Sequence, residues 1–263
     1  ELWLVAHLRK NPKADLLQTI AASRHERQEV YAWLFKTHQK NAQDIRIRAL
    51  LEVEAFVEIH RHWRRLGYPF ESLVPSLATS IGVSGDRPAA LAELIGIIVN
   101  EGVRNPTIRM EDLHFAAATP YETRLKRAPA RPQQVMKREV AATLRGALAS
   151  VVEAGTARRL RGAFSLPGRP EVMVGGKTGT GDNRYSIYGA GGKLLESRAV
   201  NRTATFVFFI GERHFGVITA YVPGALADNY DFTSGLPVQI LKIMAPRLAP
   251  YVQPGSELGC NNG

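Results

Sequence analysis

The stretch of the 263-residue chain with the most chemical content is Gly175-Gly176-Lys177-Thr178-Gly179-Thr180-Gly181. Side chains of an extended strand alternate between its two faces, so Thr178 and Thr180 set two hydroxyls on one side. Lys177 supplies a fixed positive charge. Gly179 lacks a side chain, and a second extended chain can approach the backbone closely there. A peptide could therefore lie alongside as an added strand. Its terminal carboxylate could be held by Thr178, Thr180 and the nearby ammonium. The backbone N–H of Thr180 could point at a carbonyl oxygen as one arm of an oxyanion hole.

Other chemistries fit the sequence less well. Gly176-Lys177-Thr178 looks like the end of a phosphate-binding loop, but that loop needs glycine five positions before Gly176, where the chain has Glu171. A carboxylate there would repel phosphate, and Gly179-Thr180-Gly181-Asp182-Asn183 is a poor start for the required helix. Gly82-Val83-Ser84-Gly85-Asp86 has the wrong glycine and serine spacing for a nucleophile elbow; Asp86 reads better as a helix cap. His60 and His62, two apart on a helix, point to different faces and cannot chelate one metal side by side. The single cysteine, Cys260, excludes a disulfide within the chain and a cysteine-built zinc site. No metal or other cofactor is expected.

The elements that position this stretch can be read from hydrophobic period. Residues 1–65 read as helices: Leu2, Val5 and Leu8 share a face, Asn11-Pro12 separates the first two segments, and Phe56, Ile59, Trp63 and Leu66 recur at helical steps. Gly67-Tyr68-Pro69 ends that region. A helix should start near Asp86 with Pro88 in its first turn, bury Leu91, Leu94, Ile95 and Ile98, and close with Gly102 in a left-handed cap. Another should run from about Lys137 to Glu153, with Val140, Leu144, Leu148 and Val151 inward and Gly155 after its end. Beyond Pro170 the period becomes strand-like. Val172–Thr178 is a short strand candidate, and Asp182–Asn201 reads as a long glycine-bearing loop, which either borders a peptide groove or only connects. Thr203–Ile210 and His214–Val222, joined by Gly211-Glu212-Arg213, should form an antiparallel hairpin. The run Phe206-Val207-Phe208-Phe209-Ile210 calls for a sheet covered on both faces. A last helix should span about Leu236–Leu248 with Ile240, Leu241 and Met244 among its apolar positions. The expected fold class is α+β: an antiparallel sheet packed between helices, with a helical N-terminal region.

Lysine-threonine-glycine is one of three motifs of penicillin-binding proteins and serine β-lactamases, and the chain resembles the penicillin-binding transpeptidase family beyond it. Val152-Glu153-Ala154-Gly155-Thr156-Ala157 is similar to the helix end and Gly-Thr-Ala turn that precede the motif in that family. The hairpin Thr203–Val222 follows where the neighbouring strands belong. Pro75-Ser76-Leu77-Ala78 through Asn100-Glu101-Gly102 resembles an earlier family segment. The resemblance covers about residues 66–250, the C-terminal part of the domain. It looks closest to the bifunctional proteins that carry a glycosyltransferase domain upstream.

The resemblance implies a penicillin-binding, β-lactamase-like fold and a serine-type D-Ala-D-Ala transpeptidase that cross-links peptidoglycan stem peptides through an acyl-enzyme and is acylated by β-lactams. Lys177 and Thr180 would be the catalytic positions, and Thr178, Gly179 and Thr180 the substrate-binding ones. Two departures stand against it. No serine has lysine three residues on, and no Ser-x-Asn occurs, so the nucleophile and second motif of the family are absent from these 263 residues. Where the family follows Lys-Thr-Gly with two threonines, the second position here is Gly181. The missing motifs would precede Glu1, with residues 1–65 an insertion in the transpeptidase domain; or they have been lost, leaving a non-catalytic module that binds peptidoglycan peptides or other wall-synthesis proteins. A first residue other than Met favours the former. On either reading this chain alone is expected to be inactive.

Bulk composition fits a globular protein: 45% hydrophobic, 22% charged, net charge +10. The positive charge is dispersed, and its clusters at Arg61–Arg65 and Arg158–Arg161 lack the interleaved aromatics of a nucleic-acid platform, so no specific nucleic acid is expected. No stretch has the roughly 18 apolar residues of a membrane span. The family implies a periplasmic position at a bacterial inner membrane, with the anchor upstream of Glu1.

Overall fold

The computed structural model describes residues 2–36, 40–65, 70–71, 73–82, 84–85, 87–108, 110–126 and 131–253. The chain divides into two compact units, Glu1–Phe56 and Val57–Gly263. The N-terminal residues are helical as expected: α1 Leu2–Lys10, α2 Leu16–Ala22, α3 Arg24–Lys36 and α4 Lys40–Arg65. Asp15 starts α2 with a reciprocal capping box, its Oδ1 accepting from Gln18 N at 2.7 Å while its own N–H donates to Gln18 Oε1 at 3.1 Å. Val5 and Leu8 of the α1 face are exposed. Leu66, Gly67, Tyr68, Pro69 and Asp86 lie outside the described residues, as does Cys260.

In the second unit, α5 Pro88–Val99 begins with Pro88 in its first turn and Arg87 at the cap, which makes no side-chain capping bond. Its buried stripe is wider than the expected one: Ile95 and Ile98 are buried together with Ala90, Gly96, Ile97 and Val99, whereas Leu91 and Leu94 are half-buried. The helix ends in a Schellman turn. Gly102 N donates to Ile97 O at 2.8 Å, with Glu101 at φ 55° and Gly102 at φ 85°. Two short antiparallel pairs follow that hydrophobic period did not foreshadow, β1 Val103–Arg104 with β4 Gln133–Gln134, and β2 Asp112–Phe115 with β3 Thr123–Lys126. α6 Arg138–Glu153 follows the expected face only in its second half, where Leu148 and Val151 are half-buried against the core. Val140 and Leu144 are 46% and 38% exposed, and the buried positions are Ala141, Ala149 and Val152. The small alanines let α6 lie close against the sheet, which larger side chains at those positions would prevent.

The sheet has three antiparallel strands in the order β5–β6–β7: β5 Val174–Tyr188, β6 Leu194–Ile210 and β7 His214–Pro223. The expected hairpin is present, its turn starting at Gly211 with φ 64°. The expected loop Asp182–Asn201 is not a loop. β5 runs on to Tyr188 and β6 begins at Leu194, so most of that segment is a long two-stranded arm with register shifts at Asn183/Arg184 and Ile187/Tyr188. Its glycines and polar residues have no strand-like period of their own; cross-strand pairing holds them extended.

Both faces of the sheet are covered. Phe206 and Ile210 pack with Val174, Leu160, Phe164, Val238, Leu241, Ala245 and Ala249, the side of α7 Gly235–Val252. Phe209 packs on the opposite face with Val99 of α5 and Ala149 of α6. In α7 Leu241 is buried and Ile240 half-buried, but Met244 is exposed. Phe206 and Phe209 are fully buried, and truncating either to alanine should cost about 3–5 kcal/mol. No helix among the described residues is long and apolar enough to cross a membrane.

The glycines of β5 divide by what surrounds them. A Cβ on Gly175 would lie 2.4 Å from the Phe209 ring and 2.8 Å from Ala149 N; one on Gly176 would lie 2.3 Å from Val207 O; one on Gly179 would meet nothing within 4 Å. Gly175→Ala should therefore lower unfolding stability by about 1–3 kcal/mol. Gly179→Ala should leave it within about 0.5 kcal/mol. Urea unfolding midpoints of the two variants check this.

Candidate functional site

The register of β5 decides which groups it presents. Gly211 N donates to Met173 O at 2.8 Å, and pairing continues without a shift from Val174↔Ile210 to Asn183↔Asn201. Residues of an antiparallel strand alternate between turning both backbone groups toward the partner and turning both away. Counting from Met173, the residues bonded to β6 are Gly175, Lys177, Gly179 and Gly181. The Thr203 hydroxyl reaching Gly181 O at 3.5 Å agrees with this. Gly176, Thr178 and Thr180 turn their N–H and C=O the other way, toward the edge of β5, where the sheet has no further strand among the described residues.

The predicted residues are thus brought together on one strand edge. Thr178 and Thr180 share a face. Lys177 and Gly179 share the other, Lys177 exposed and Gly179 bare above its Cα. The Lys177 ammonium donates to Thr178 O at 2.8 Å, so it already sits at the edge.

Each threonine hydroxyl is held by a different element. Thr178 Oγ1 lies 2.7 Å from Thr156 Oγ1, in the turn after α6. Thr180 Oγ1 accepts from the backbone N–H of Ser234, at the start of α7, at 2.9 Å. The segment before Ser234 is fixed in turn by Arg202, whose Nε donates to Phe232 O at 2.9 Å and whose guanidinium lies over the Phe232 ring. Further along β5, Arg184 bonds Asp228 Oδ1 at 2.6 Å, tying the arm to the turn Gly224–Asn229. That hydrogen bond, with the Asp228 and Asp182 charges, raises the Arg184 pKa above its ordinary value against the opposing effect of desolvation.

Thr156 and Ser234 carry no site role in the sequence expectations. Thr156 stands in the Gly155-Thr156-Ala157 turn, which sequence resemblance picks out without assigning the hydroxyl a partner. Ser234 acts through its backbone, and no residue-type signal reports that. Gly155 serves the turn by closeness: a Cβ there would lie 2.8 Å from Val151 O.

The rejected readings look different in three dimensions. Lys177 lies inside a strand, with Gly175 and Gly176 pressed between aromatic rings rather than lining a phosphate cradle. Ser84 Oγ accepts from Val74 N at 2.9 Å and lies 2.6 Å from Thr79 Oγ1, locked in a local turn. His62 pairs with Glu58 on its own helix at 3.2 Å. Among the described residues no group of three or more His, Cys, Asp or Glu side chains converges as a metal site would. A cavity of about 390 Å³ lined by Glu93, Arg104, Pro106, Thr107, Arg131 and Gln133 includes none of the motif residues.

No protein-family model and no curated protein matches the chain. Among solved structures it is similar to penicillin-binding protein 3 of Mycobacterium tuberculosis in complex with aztreonam, with 18% identity, a TM-score of 0.47, and coverage of 77% of this chain and 48% of that one. It is also similar to PBPA of the same organism, with 22% identity, a TM-score of 0.34, and coverage of 64% and 34%. A peptidoglycan synthetase from Bifidobacterium adolescentis gives 16% identity, a TM-score of 0.36, and coverage of 65% and 28%. The chain spans about half the length, or less, of these structures.

The edge assignment predicts an alternation in amide hydrogen exchange. The N–H groups of Lys177 and Gly179, bonded to β6, should exchange slower by on the order of a hundredfold or more than those of Thr178 and Thr180. Residue-resolved exchange by NMR checks it; protection of Thr178 and Thr180 instead would mean that the opposite set of groups faces the edge.

Proposed function

We propose that this chain is the C-terminal part of a peptidoglycan D,D-transpeptidase, and that the free edge of β5 holds a stem peptide ending in D-Ala-D-Ala. The observation that carries the reading is the edge itself: a Lys-Thr-Gly-Thr strand with no outer strand among the described residues, two hydroxyls on one face, a lysine at its rim and open space above Gly179. A peptide pairing along it would bond the Thr178 and Thr180 backbone groups. Its own N–H would take Thr178 O and release the Lys177 ammonium.

In this reading a serine supplied from outside these 263 residues attacks the penultimate D-alanine carbonyl. The Thr180 N–H stabilises the oxyanion that forms. The Thr178 and Thr180 hydroxyls and the Lys177 ammonium hold the terminal carboxylate, and Lys177 also assists proton transfer. The C–N bond to the terminal D-alanine breaks, D-alanine leaves with the proton, and an ester to serine remains. An amine of a second stem peptide attacks the ester, forms the new amide and returns the proton to serine. A β-lactam would acylate the same serine by opening its ring amide. Residues 1–65 as an insertion in the domain, a glycosyltransferase domain upstream, an anchor in the bacterial inner membrane with this part on its periplasmic face, and contacts with other wall-synthesis proteins belong to the same proposal.

Labelling with a fluorescent penicillin tests it, using the polypeptide extended upstream of Glu1 and read on a denaturing gel. Covalent label is expected on the parent. Lys177→Ala should slow acylation by on the order of a hundredfold or more while leaving the unfolding transition in place. A folded parent that takes no label would instead make the chain a non-catalytic module that keeps the groove. Near-normal labelling of a folded Lys177→Ala variant would remove lysine from the mechanism.

A further inference from the structure

We propose that Thr156 is a positioning residue that sets the Thr178 hydroxyl as a donor to the substrate carboxylate; the proposal rests on the reading of the β5 edge given above. A threonine hydroxyl has one proton to give and two lone pairs to receive with. Thr180 is unambiguous, because its Oγ1 accepts a backbone N–H from Ser234 at 2.9 Å and its own proton stays free for a ligand. Thr178 is different. Its Oγ1 faces another hydroxyl, Thr156 Oγ1, at 2.7 Å, and either group can be the donor.

Only one proton lies between those two oxygens. If Thr178 gives it, Thr178 offers the edge nothing but lone pairs, which repel a carboxylate. If Thr156 gives it, the Thr178 proton is free, its rotamer is pinned, and the bond from behind strengthens it as a donor. A carboxylate at the edge therefore selects the arrangement in which Thr156 donates to Thr178 and Thr178 donates to the anion. Thr156 itself touches no substrate. Its position comes from the turn in which Ala157 N bonds Val151 O at 3.1 Å, just past the end of α6.

The test compares a short peptide ending in two D-alanines with the same peptide carrying a C-terminal carboxamide, titrated into this chain and followed by NMR. The wild-type chain should prefer the carboxylate. In Thr156→Val that preference should fall roughly fivefold to tenfold through weaker binding of the carboxylate peptide alone. Thr156→Ser should restore it to within about twofold, and Thr156→Val should add nothing in a Thr178→Val background, the signature of an effect passed through Thr178. Thr156→Ala serves should the valine variant unfold. Unchanged preference in Thr156→Val, or a serine variant that restores nothing, would overturn the proposal and leave the peptide groove standing. A wild-type chain that binds neither peptide, or both equally, would overturn the groove and this role with it.

Discussion

Two phenylalanines of β6 and two glycines of β5 fix the geometry on which everything else in this sheet depends. A Cβ on Gly175 would fall 2.4 Å from the Phe209 ring, and one on Gly176 would fall 2.7 Å from the Phe206 ring on the opposite face. The rings are thus packed against the bare backbone of β5 from both sides, and each is fully buried. A one-residue slip of β5 would exchange its faces, set Lys177 toward the α7 core and turn the threonines away from their partners. Burying a lysine unpaired costs far more than a strand pairing returns. The register is therefore held by packing at one end of the strand and spent at the other, where chemistry is exposed.

The change along β5 is abrupt. Val174, Gly175 and Gly176 are buried, Lys177 is exposed, and from there the strand leaves the core with an open edge. An edge strand with unpaired N–H and C=O groups is ordinarily a liability, since it can template pairing with another chain. Here Lys177 blunts it, its ammonium occupying Thr178 O at 2.8 Å. One side chain can thus close the edge to indiscriminate strand addition.

The parts of the fold legible in the sequence are those where residue type and local spacing decide. The run Phe206–Ile210 announces a strand covered on both faces, Gly211 announces the turn after it, and Lys177-Thr178-Gly179-Thr180 announces a strand that sets two hydroxyls on one face and a lysine on the other. What could not be read depends on partners far along the chain. The stretch after Gly181 looks like a loop because glycines and polar residues carry no period, yet pairing from Asp182↔Arg202 to Tyr188↔Leu194 keeps it extended. In α6 the larger apolar residues Val140 and Leu144 point outward and alanines point in, because close approach to the sheet outweighs side-chain size. Helical period alone places Val140 and Leu144 inward with Leu148 and Val151, and only the latter two pack against the core.

The site itself falls between these cases. Its strand is local, but its two hydroxyls are held by residues 22 and 54 positions away, Thr156 and Ser234. One holder closes the turn after α6 and the other begins α7, and Arg202 of β6 fixes the approach to the second through Phe232. None of these contacts can form before the sheet and both helices have docked, so the hydroxyls take up their orientations only in the finished fold. The two side chains are thereby ordered in folding, and any group that meets them at the edge is spared that ordering entropy. The arrangement also divides the two threonines by the nature of their holders. A backbone amide can only donate, so Thr180 is fixed in one sense; a hydroxyl can donate or accept, so Thr178 answers to whatever occupies the edge.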